Sequence, residues 1–559
     1  MAVQLSVLQN SDDALLVWSV PEAISECAGF AIRRELTHEG KTKASWLDNY
    51  VGFAGEKHAD GECRPSTEWP FQGFTWTDHG LDSGDSARYR VVPVLRGQDG
   101  KLHRADAQRS EWAEGRKASS TYLPYFNRGY VMSQFIAHYL ERTGQSLAQF
   151  KDTISDEDDH TIRQFLAGDI RVQLLALLAE TRERGGELFA ALYELSDPEL
   201  IDALVALGPR AHVVLANGSI SQHKGEPLAV ARERDQNATA RARLTAGAVD
   251  VAEHDRFISP GALAHNKFAV FTDAAGKPKY AWTGSTNWSP TGLCTQLNNA
   301  LLIRDKDVAA AYLAQWERLR KAKSEFPKTL VNANSKPSEP RAKATLWFSR
   351  TSGEVDLDAL GQIVAEAESG LLFLMFKPGA KGVLKHVRKR QKDDPGLFVR
   401  GVVSELPSPD DETKVDVSFF GSGPPEEHRL KEVIQPEGRP QPIAWWAAEA
   451  TRKQFTGNIG FAIVHSKVLV VDPFSPKATV VTGSHNFSES ASTENDENFL
   501  VVRGDRALAE AYTVNVFSAW RHYRARVASG NPFPGLRKDG SWMPGSLWAR
   551  QQDAGFWGF

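Results

Sequence analysis

Two short segments of this chain carry the same reactive groups in the same order. One is His265-Asn266-Lys267 and the other is His465-Ser466-Lys467, and each opens an apolar run with strand character. Each run is followed, past a polar loop, by a Thr-Gly-Ser-x-Asn segment, at residues 283–287 and 482–486. Because alternate side chains of a strand share one face, each histidine and its lysine would project to the same point. A duplicated set of such groups is typical of a phosphate site.

The residue types indicate how such a site would work. Histidine titrates near neutrality, so one of two histidines can attack phosphorus while the other donates a proton. Lys267 and Lys467 would supply fixed positive charge for phosphate oxygens. The neutral hydrogen-bond donors would be Asn287, Asn486, Ser285 and Ser484. Neither clustered carboxylates nor His and Cys at metal-ligand spacing accompany the repeat, so we expect no metal and no other cofactor.

The two motifs resemble those of the phospholipase D superfamily, whose signature H-x-K-x4-D followed by G-S-x-N occurs twice. The second copy matches in full, because Asp472 follows Lys467 after a four-residue spacer. The first copy has Thr272 at that position and Asp273 one residue later. In the family this aspartate mainly supports the local structure, so the resemblance assigns Asp472 a role in structural support.

The resemblance implies two halves that meet at a pseudo-twofold axis, with both histidines at one site. One histidine would form a phosphohistidine, and the other would protonate the leaving oxygen and then activate water. The groups that would hold the non-bridging oxygens as charge develops are Lys267, Lys467, Asn287 and Asn486, with Ser285 and Ser484.

In this family an acidic residue downstream of each histidine orients the histidine of the opposite half. Aligning the two copies puts Glu497 at this place in the second half and Asn298 in the first. A carboxylate fixes the tautomer of its imidazole partner and raises its basicity. We therefore expect Glu497 to orient His265 as the nucleophile, which leaves His465 as general acid and predicts a bell-shaped pH profile. The neighbouring Asp496 is the competing carboxylate.

The chain is predicted to be multi-domain, with an N-terminal all-β sandwich over residues 1–112. Short runs rich in β-branched and aromatic residues recur there at sandwich spacing. Trp18 and the Leu81-x7-Tyr89 pattern resemble a fibronectin type III domain with its buried Trp and tyrosine corner. Such a domain would bind a protein partner and do no chemistry.

From residue 113 the pattern predicts a duplicated, parallel α/β catalytic domain. Helical segments alternate there with buried strands, and the order repeats, which gives a first half at 113–335 and a second at 336–527. The polar, proline-containing stretch 332–343 is predicted to be a linker or surface loop. Residues 528–559 form a tail rich in Trp, Gly and Pro.

Composition restricts the classes of function. The 559 residues suffice for several cores, and 41% hydrophobic and 24% charged residues are ordinary globular values. A formal net charge of −4 disfavours a globally basic nucleic-acid scaffold, although it leaves room for a local basic cleft. Three scattered cysteines, no leader pattern and no apolar run of bilayer length predict a cytoplasmic protein, although export by a dedicated secretion system would leave no mark.

Three functions fit these features. A phospholipid hydrolase that releases phosphatidic acid is favoured by the mild acidity and by Trp445-Trp446, which would meet a membrane surface unless they pack in the core, as Trp more often does. The alternative is a nuclease or nucleic-acid phosphodiesterase, with basic segments at 381–392 and 232–243 as its footprint. A binding module with an inactive site is disfavoured by two intact His-Lys pairs. Since both motifs lie in one chain, we expect a monomer to suffice for catalysis.

Overall fold

Strand pairing groups the chain into two units that differ in kind. The computed structural model describes residues 2–57, 59, 62–129, 143–156, 161–218, 223, 225–252, 256, 262–341, 343–379, 381–404, 433–434, 464–527 and 535–559. One unit takes in Met1–Ala118 and Ala509–Phe559, and the other holds the remaining described residues. The loop aromatics Trp445-Trp446 lie outside the described residues.

The first unit is β-rich, as predicted from the alternating apolar runs. A three-stranded sheet has the order β1-β2-β7, and a five-stranded sheet has the order β10-β8-β3-β4 with β9 also paired to β8. The strands are β1 (Gln4–Gln9), β2 (Ala14–Ser19), β3 (Cys27–His38), β4 (Lys41–Trp46), β5 (Asp48–Asn49), β6 (Arg64–Pro65), β7 (Thr75–Asp78), β8 (Ser86–Arg96), β9 (Leu102–Arg104) and β10 (Ala113–Glu114). Trp18 and Tyr89 are fully buried in its core, and the Tyr89 hydroxyl donates to Asp78 at 2.9 Å.

Residues of the Trp-rich tail predicted from 528 pack into this same core. Met543 and Leu547 join the apolar cluster around Trp18, and Trp542 Nε1 donates to the Cys27 carbonyl at 2.8 Å. Tryptophan buries a large apolar area when its N–H finds a partner, which explains why this segment docks.

The second unit contains two mixed sheets with the same strand order. The first sheet runs β11-β17-β16-β15-β12-β13-β14, and the second runs β18-β19-β25-β24-β23-β20-β21-β22 with β18 as an added edge. The first sheet consists of β11 (Tyr122–Phe126), β12 (Leu188–Leu192), β13 (Ala211–Leu215), β14 (Asp250–Val251), β15 (Lys267–Thr272), β16 (Pro278–Gly284) and β17 (Asn299–Ile303). The second consists of β18 (Ser338–Arg341), β19 (Ala344–Phe348), β20 (Gly370–Met375), β21 (Phe398–Val403), β22 (Val433–Ile434), β23 (Val468–Val471), β24 (Thr479–Gly483) and β25 (Asn498–Arg503).

The prediction of parallel α/β structure was wrong for the strands that carry the motifs, because both sheets are mixed. Only β12-β13-β14 and β20-β21-β22 pair in parallel, and the strands that carry the motifs pair antiparallel with their neighbours. The reason is the length of the connections. Short loops join β15 to β16 and β23 to β24 as hairpins, whereas a parallel pair needs a crossover, which helices supply elsewhere.

Helices occur in both units of the described chain. The described helices are α1 (Leu147–Asp156), α2 (Thr161–Glu183), α3 (Pro198–Leu207), α4 (Leu228–Arg232), α5 (Ala238–Ala246), α6 (Pro290–Cys294), α7 (Lys306–Ala322), α8 (Lys328–Asn334), α9 (Val355–Ala365), α10 (Val383–Asp393), α11 (Glu489–Thr493), α12 (Arg506–Val527), α13 (Met543–Gln552) and α14 (Ala554–Trp557). Helix α3 begins at a sequence that favours a helix start, because the Asp197 carboxylate caps it by accepting from Leu200 N at 3.2 Å and Pro198 occupies the first turn.

The stretch 332–343 is not a linker. Its first residues complete helix α8, and residues 338–341 form edge strand β18, which pairs with β19. Polar residues and a proline are compatible with a strand that has only one neighbour, which is why the composition misled.

Asp472 ends β23 and anchors the start of the neighbouring strand β20. Its carboxylate accepts hydrogen bonds from the backbone amides of Glu368 (2.9 Å), Ser369 (2.7 Å) and Gly370 (2.9 Å), and from the Ser369 hydroxyl (2.8 Å). One carboxylate thus satisfies three amides at the strand entrance.

Thr272 occupies the matching position at the end of β15. Its hydroxyl accepts one hydrogen bond, from Glu187 N at 2.9 Å, at the entrance to β12. Asp273 instead closes its own turn by accepting from Ala275 N and Lys277 N, both at 2.9 Å. The first half therefore holds the same strand entrance with a weaker neutral anchor.

Replacing these two anchors should destabilise the protein unequally. We expect Asp472→Ala to lower the free energy of unfolding by about 3 kcal/mol, because several amides lose a charged acceptor, and Thr272→Ala to lower it by about 1 kcal/mol. Urea unfolding followed by tryptophan fluorescence measures both. Equal losses would show that the two strand entrances do not depend on these side chains in the way described.

Candidate active site

The two motif histidines meet because each half pairs its backbone with the other. The His265 amide donates to the Asp496 carbonyl at 2.8 Å, and the His465 amide donates to the Leu297 carbonyl at 2.9 Å. The two imidazole rings lie 6.4 Å apart between centroids, and both side chains are buried. Two strands from different sheets thus deliver one histidine each to a single site.

Glu497 lies beside His265. Glu497 Oε1 is 3.2 Å from His265 Nδ1 and also accepts from Asn495 Nδ2 at 2.9 Å, while Oε2 accepts from the Asn486 amide at 2.8 Å. Its own amide donates to Ser349 Oγ at 3.0 Å. A carboxylate held by this many partners can fix one tautomer of His265, with the proton on Nδ1 and the lone pair on Nε2.

Asn298 occupies the equivalent place beside His465. Asn298 Oδ1 is 2.9 Å from His465 Nδ1, and its Nδ2 donates to the Gly292 carbonyl at 2.9 Å, which orients the amide. The Ser285 hydroxyl donates to the same Oδ1 at 2.7 Å. His465 therefore has a neutral acceptor where His265 has a charged one.

The carboxylate of Asp496, the competing residue, is paired with an arginine and not with a motif histidine. It pairs with Arg256, whose Nε donates to Asp496 Oδ2 at 2.7 Å, and both side chains are almost fully buried. Arg256 also donates to the carbonyls of Lys323 and Glu325 at 2.7 and 2.8 Å. The pair holds the segment before Glu497 in place and leaves His265 to Glu497.

Each motif lysine lies on the same side of its strand as its histidine, against an aromatic ring. Lys267 Nζ is 4.8 Å from the centre of the Tyr193 ring, which packs edge-on against His265 at 4.7 Å. In the second half, Lys467 Nζ is 5.1 Å from the Phe376 ring, which packs against His465 at 4.9 Å. Both ammonium groups donate to the carbonyl of their own histidine, Lys267 at 2.9 Å and Lys467 at 2.5 Å.

The two motif serines are buried in asparagine networks. Ser285 bonds to Asn298 and Asn299, and Ser484 Oγ accepts from the Asn498 amide at 3.1 Å. Both hydroxyls thus form hydrogen bonds within the protein.

The two motif asparagines have different hydrogen-bond partners. The partner of Asn287 is a residue that the sequence did not predict as part of the site. Asn287 Nδ2 donates to Glu194 Oε2 at 2.9 Å, and Glu194 follows strand β12 without any motif that would draw attention to it. Asn486 is held by its amide, which donates to Glu497. The Oδ1 atoms of both asparagines are buried and have no hydrogen-bond partner.

Burial sets the protonation of the histidines and lysines. It lowers the pKa of His265 to about 4, an effect that Lys267 reinforces and Glu497 opposes. Burial and the two lysines lower the pKa of His465 well below its ordinary value. Burial also lowers the pKa of Lys267 to about 7 and that of Lys467 well below its usual range. A phosphate anion placed between these groups would favour the charged form of each one.

Glu497 stays ionised despite its burial. Desolvation acts to raise the pKa of its carboxyl, but the His265 imidazole and nearby cations outweigh this and hold the pKa below its ordinary value. Glu497 therefore acts to raise the pKa of His265, as expected, but burial lowers that pKa by more.

Among the described residues, one group of three has the spacing of metal ligands: His38, Asp82 and Asp85, in the first unit. His38 Nδ1 is 2.7 Å from Asp85 Oδ1, and His38 and Asp82 are exposed. Exposed groups of this kind are common without an ion, and the histidines and lysines of the motifs are not part of it.

Similarity to known proteins agrees with this geometry. Residues 175–320 and 438–520 match the family model described as cardiolipin synthase, PLD-like domain. The phospholipase D of Rickettsia prowazekii (strain Madrid E) is 46% identical over 56 residues, which are 10% of this chain and 25% of that protein. This chain therefore spans about a quarter of the length of that relative.

Solved structures with related folds are distant in sequence. Phosphatidylserine synthase from Haemophilus influenzae Rd KW20 is 11% identical, with a TM-score of 0.39 over 64% of this chain and 85% of that chain. The phospholipase D family member Nuc from Salmonella typhimurium is 18% identical, with a TM-score of 0.20 over 35% of this chain and 99% of that chain.

Two mixed sheets thus bring a histidine and a lysine from each half to one candidate site. Both halves of this site lie within the segments that match the PLD-like domain model, a family whose members are phosphodiesterases and phospholipid-modifying enzymes. In the described part of the chain, no helix combines the length and apolar character that a bilayer crossing requires.

The different partners of the two histidines should appear in their titration. We expect Glu497→Gln to lower the pKa of His265 further, because the imidazolium loses its compensating charge, and Asn298→Asp to raise the pKa of His465 by about 1 pH unit or more. Histidine 15N NMR across a pH series measures both. A His465 resonance that does not shift in Asn298→Asp would show that this position does not act on His465.

Proposed function

We propose that this protein is a metal-independent phosphodiesterase that works through a phosphohistidine, with His265 as nucleophile and His465 as general acid. The observation that carries the proposal is the unequal pairing of the two histidines. Glu497 lies 3.2 Å from His265 Nδ1, while a neutral amide oxygen lies 2.9 Å from His465 Nδ1. A charged partner favours the imidazole that must acquire positive charge as it attacks.

The first step forms a P–N bond and breaks the P–O bond of the leaving group. His265 Nε2 attacks phosphorus in line, and the protonated His465 gives its proton to the departing oxygen. In the second step the neutral His465 takes a proton from water, the resulting hydroxide attacks phosphorus, and the P–N bond breaks. His265 then returns as neutral imidazole and His465 as imidazolium.

The lysines and asparagines would stabilise charge on the non-bridging oxygens. Lys267 begins β15 and Lys467 directly precedes β23, each two residues after its histidine, and Asn287 and Asn486 each follow the end of β16 and β24 by three residues. Preorganised donors and cations in a buried site stabilise such charge strongly. The substrate's own negative charge would in turn restore the proton on His465 that burial disfavours.

We infer phospholipid head groups as the substrate, with phosphatidic acid as product. The support is the matching family, cardiolipin synthase, PLD-like domain, together with the Rickettsia relative, a phospholipase D. Both names refer to phospholipid chemistry, and the residues that match the family model contain both motifs of this chain.

A nuclease is the second candidate, and the structure weakens its main support. The basic helix α10 pairs Lys389 with Asp393 and Arg390 with Asp394. In the other basic segment each of three arginines has a carboxylate partner: Arg234 with Glu226, Arg241 with Asp235 and Arg243 with Asp202. Charges that are paired within the protein offer little for a nucleic-acid backbone.

The two histidines can be told apart by trapping the intermediate. On bis(p-nitrophenyl) phosphate, whose leaving group needs little acid assistance, His465→Ala should accumulate a covalent adduct, because attack still occurs while water activation is lost. Intact-protein mass spectrometry detects the adduct, and peptide mapping places it on His265. The matched variant His265→Ala should give none. An adduct on His465 in His265→Ala would reverse the roles.

The substrate class can be decided by parallel assays with EDTA present. We expect the protein to release head groups from phosphatidylcholine vesicles faster than it cleaves single-stranded DNA, and EDTA to leave the rate unchanged. His265→Ala should abolish the activity and serves as control for contaminants. Preferential cleavage of DNA would favour the nuclease, and loss of activity in EDTA would contradict the metal-independent mechanism.

A further inference from the structure

Glu194 is a carboxylate at the candidate site that the mechanism above does not use. It follows strand β12 directly after Tyr193, whose ring packs against His265, and it is half-buried. Its Oε2 accepts a hydrogen bond from Asn287 Nδ2 at 2.9 Å. Glu194 therefore contacts a residue proposed to hold the phosphate oxygens.

The backbone on both sides of Glu194 is fixed by buried hydrogen bonds. Asn237 Nδ2 donates to the Tyr193 carbonyl at 2.9 Å, and its Oδ1 accepts from the Leu195 amide at 3.0 Å. The Trp288 amide donates to the Glu194 carbonyl at 3.1 Å, which ties the segment to the loop of Asn287. The carboxylate is thus held by the scaffold of the site and does not depend on a long loop.

The charge of Glu194 acts on both motif lysines. Burial raises the pKa of its carboxyl, while the ammonium groups of Lys267 and Lys467 and the hydrogen bond from Asn287 act in the opposite direction. Glu194 in turn favours the charged forms of Lys267 and Lys467. The three side chains form one electrostatic group around the proposed phosphate position.

The second half has a lysine at the position that corresponds to this carboxylate. Strand β20 is followed by Phe376, which packs on His465 as Tyr193 packs on His265, and the next residue is Lys377. Lys377 Nζ lies 5.4 Å from the centre of the Phe376 ring. Because the two halves differ in charge at this position, the pseudo-symmetric scaffold does not require a carboxylate there.

We propose that Glu194 is a specificity-determining residue. Its charge makes the phosphate-binding position favour a diester, which carries one negative charge, over a monoester, which carries two. This inference rests on the proposed phosphodiesterase function. With Lys267, Lys467 and His465 in the charged forms that the proposed mechanism requires, three positive charges face the carboxylates of Glu194 and Glu497. The site then carries a single net positive charge, which balances the single charge of a diester.

The charge of the product explains how such a balance would affect turnover. Hydrolysis of a diester yields a monoester, whose second ionisation has a pKa near 6, so the product carries close to two charges at pH 7. The added charge would lie near the Glu194 carboxylate and would be repelled at short range. Glu194 would then limit product inhibition while leaving the diester bound.

A pair of inhibitors that differ by one charge tests the proposal. Methyl phosphate and dimethyl phosphate are compared as competitors of bis(p-nitrophenyl) phosphate turnover at pH 7. In Glu194→Gln, which keeps an acceptor for Asn287, methyl phosphate should inhibit about tenfold more strongly than in the wild type, with a smaller change for dimethyl phosphate. Glu187→Gln, at the other end of β12, is the matched control and should leave both inhibition constants unchanged.

Two further measurements separate a charge effect from a structural one and from failure of the proposed function. Glu194→Asp keeps the charge and should keep the wild-type ratio of the two inhibition constants. An unchanged ratio in Glu194→Gln, or the same altered ratio in Glu194→Asp, would overturn the proposal. If the wild type turns over no diester, the proposed function fails, and calorimetry of methyl phosphate binding to the wild type and Glu194→Gln still decides the role of Glu194.

Discussion

The candidate site depends on an exchange of backbone hydrogen bonds between the two sheets of the second unit. The amide of each motif histidine donates to a carbonyl of the opposite half, at Asp496 for His265 and at Leu297 for His465. The residue that follows each of these carbonyls, Glu497 or Asn298, therefore lies beside the histidine of the opposite half. Side chains reinforce the exchange, since Thr283 donates to Asn498 at 2.8 Å and Asn299 donates to Thr482 at 2.7 Å. Buried, mutually satisfied polar groups of this kind specify a single arrangement.

The same exchange turns one difference in sequence into a difference in chemistry. The scaffold treats both histidines alike, giving each an aromatic neighbour, a lysine on its own strand and a polar partner at Nδ1. Only the last of these differs in charge, as Glu497 on one side and Asn298 on the other. Because both imidazoles are buried and share two cations, a single carboxylate is enough to distinguish them electrostatically.

Local pattern predicted a good part of this structure, and tertiary context decided the rest. Strands such as β13 and β21 follow directly from their apolar runs, and alignment of the two copies brought Glu497 and Asn298 to the right positions because the repeat preserves topology. Glu194 could not be found in this way, since its importance comes from a contact with Asn287 that is remote in sequence. The composition of 338–341 predicted a linker because an edge strand, which pairs on one side only, tolerates polar residues. The sheets are mixed because hairpins join the motif strands, and periodicity alone does not reveal hairpins.

The covalent connection between the two halves determines whether their matching positions can differ in sequence. A self-associating pair of identical half-sized chains would place the same residue beside both histidines, so a carboxylate gained or lost on one side would change the other as well. Joining the halves in one polypeptide removes that restriction, and each position can then vary by itself. In this chain Asn298 and Glu497, and likewise Glu194 and Lys377, occupy matching positions with unlike charge. Covalent linkage is thus what would allow a symmetric scaffold to carry the proposed directional reaction.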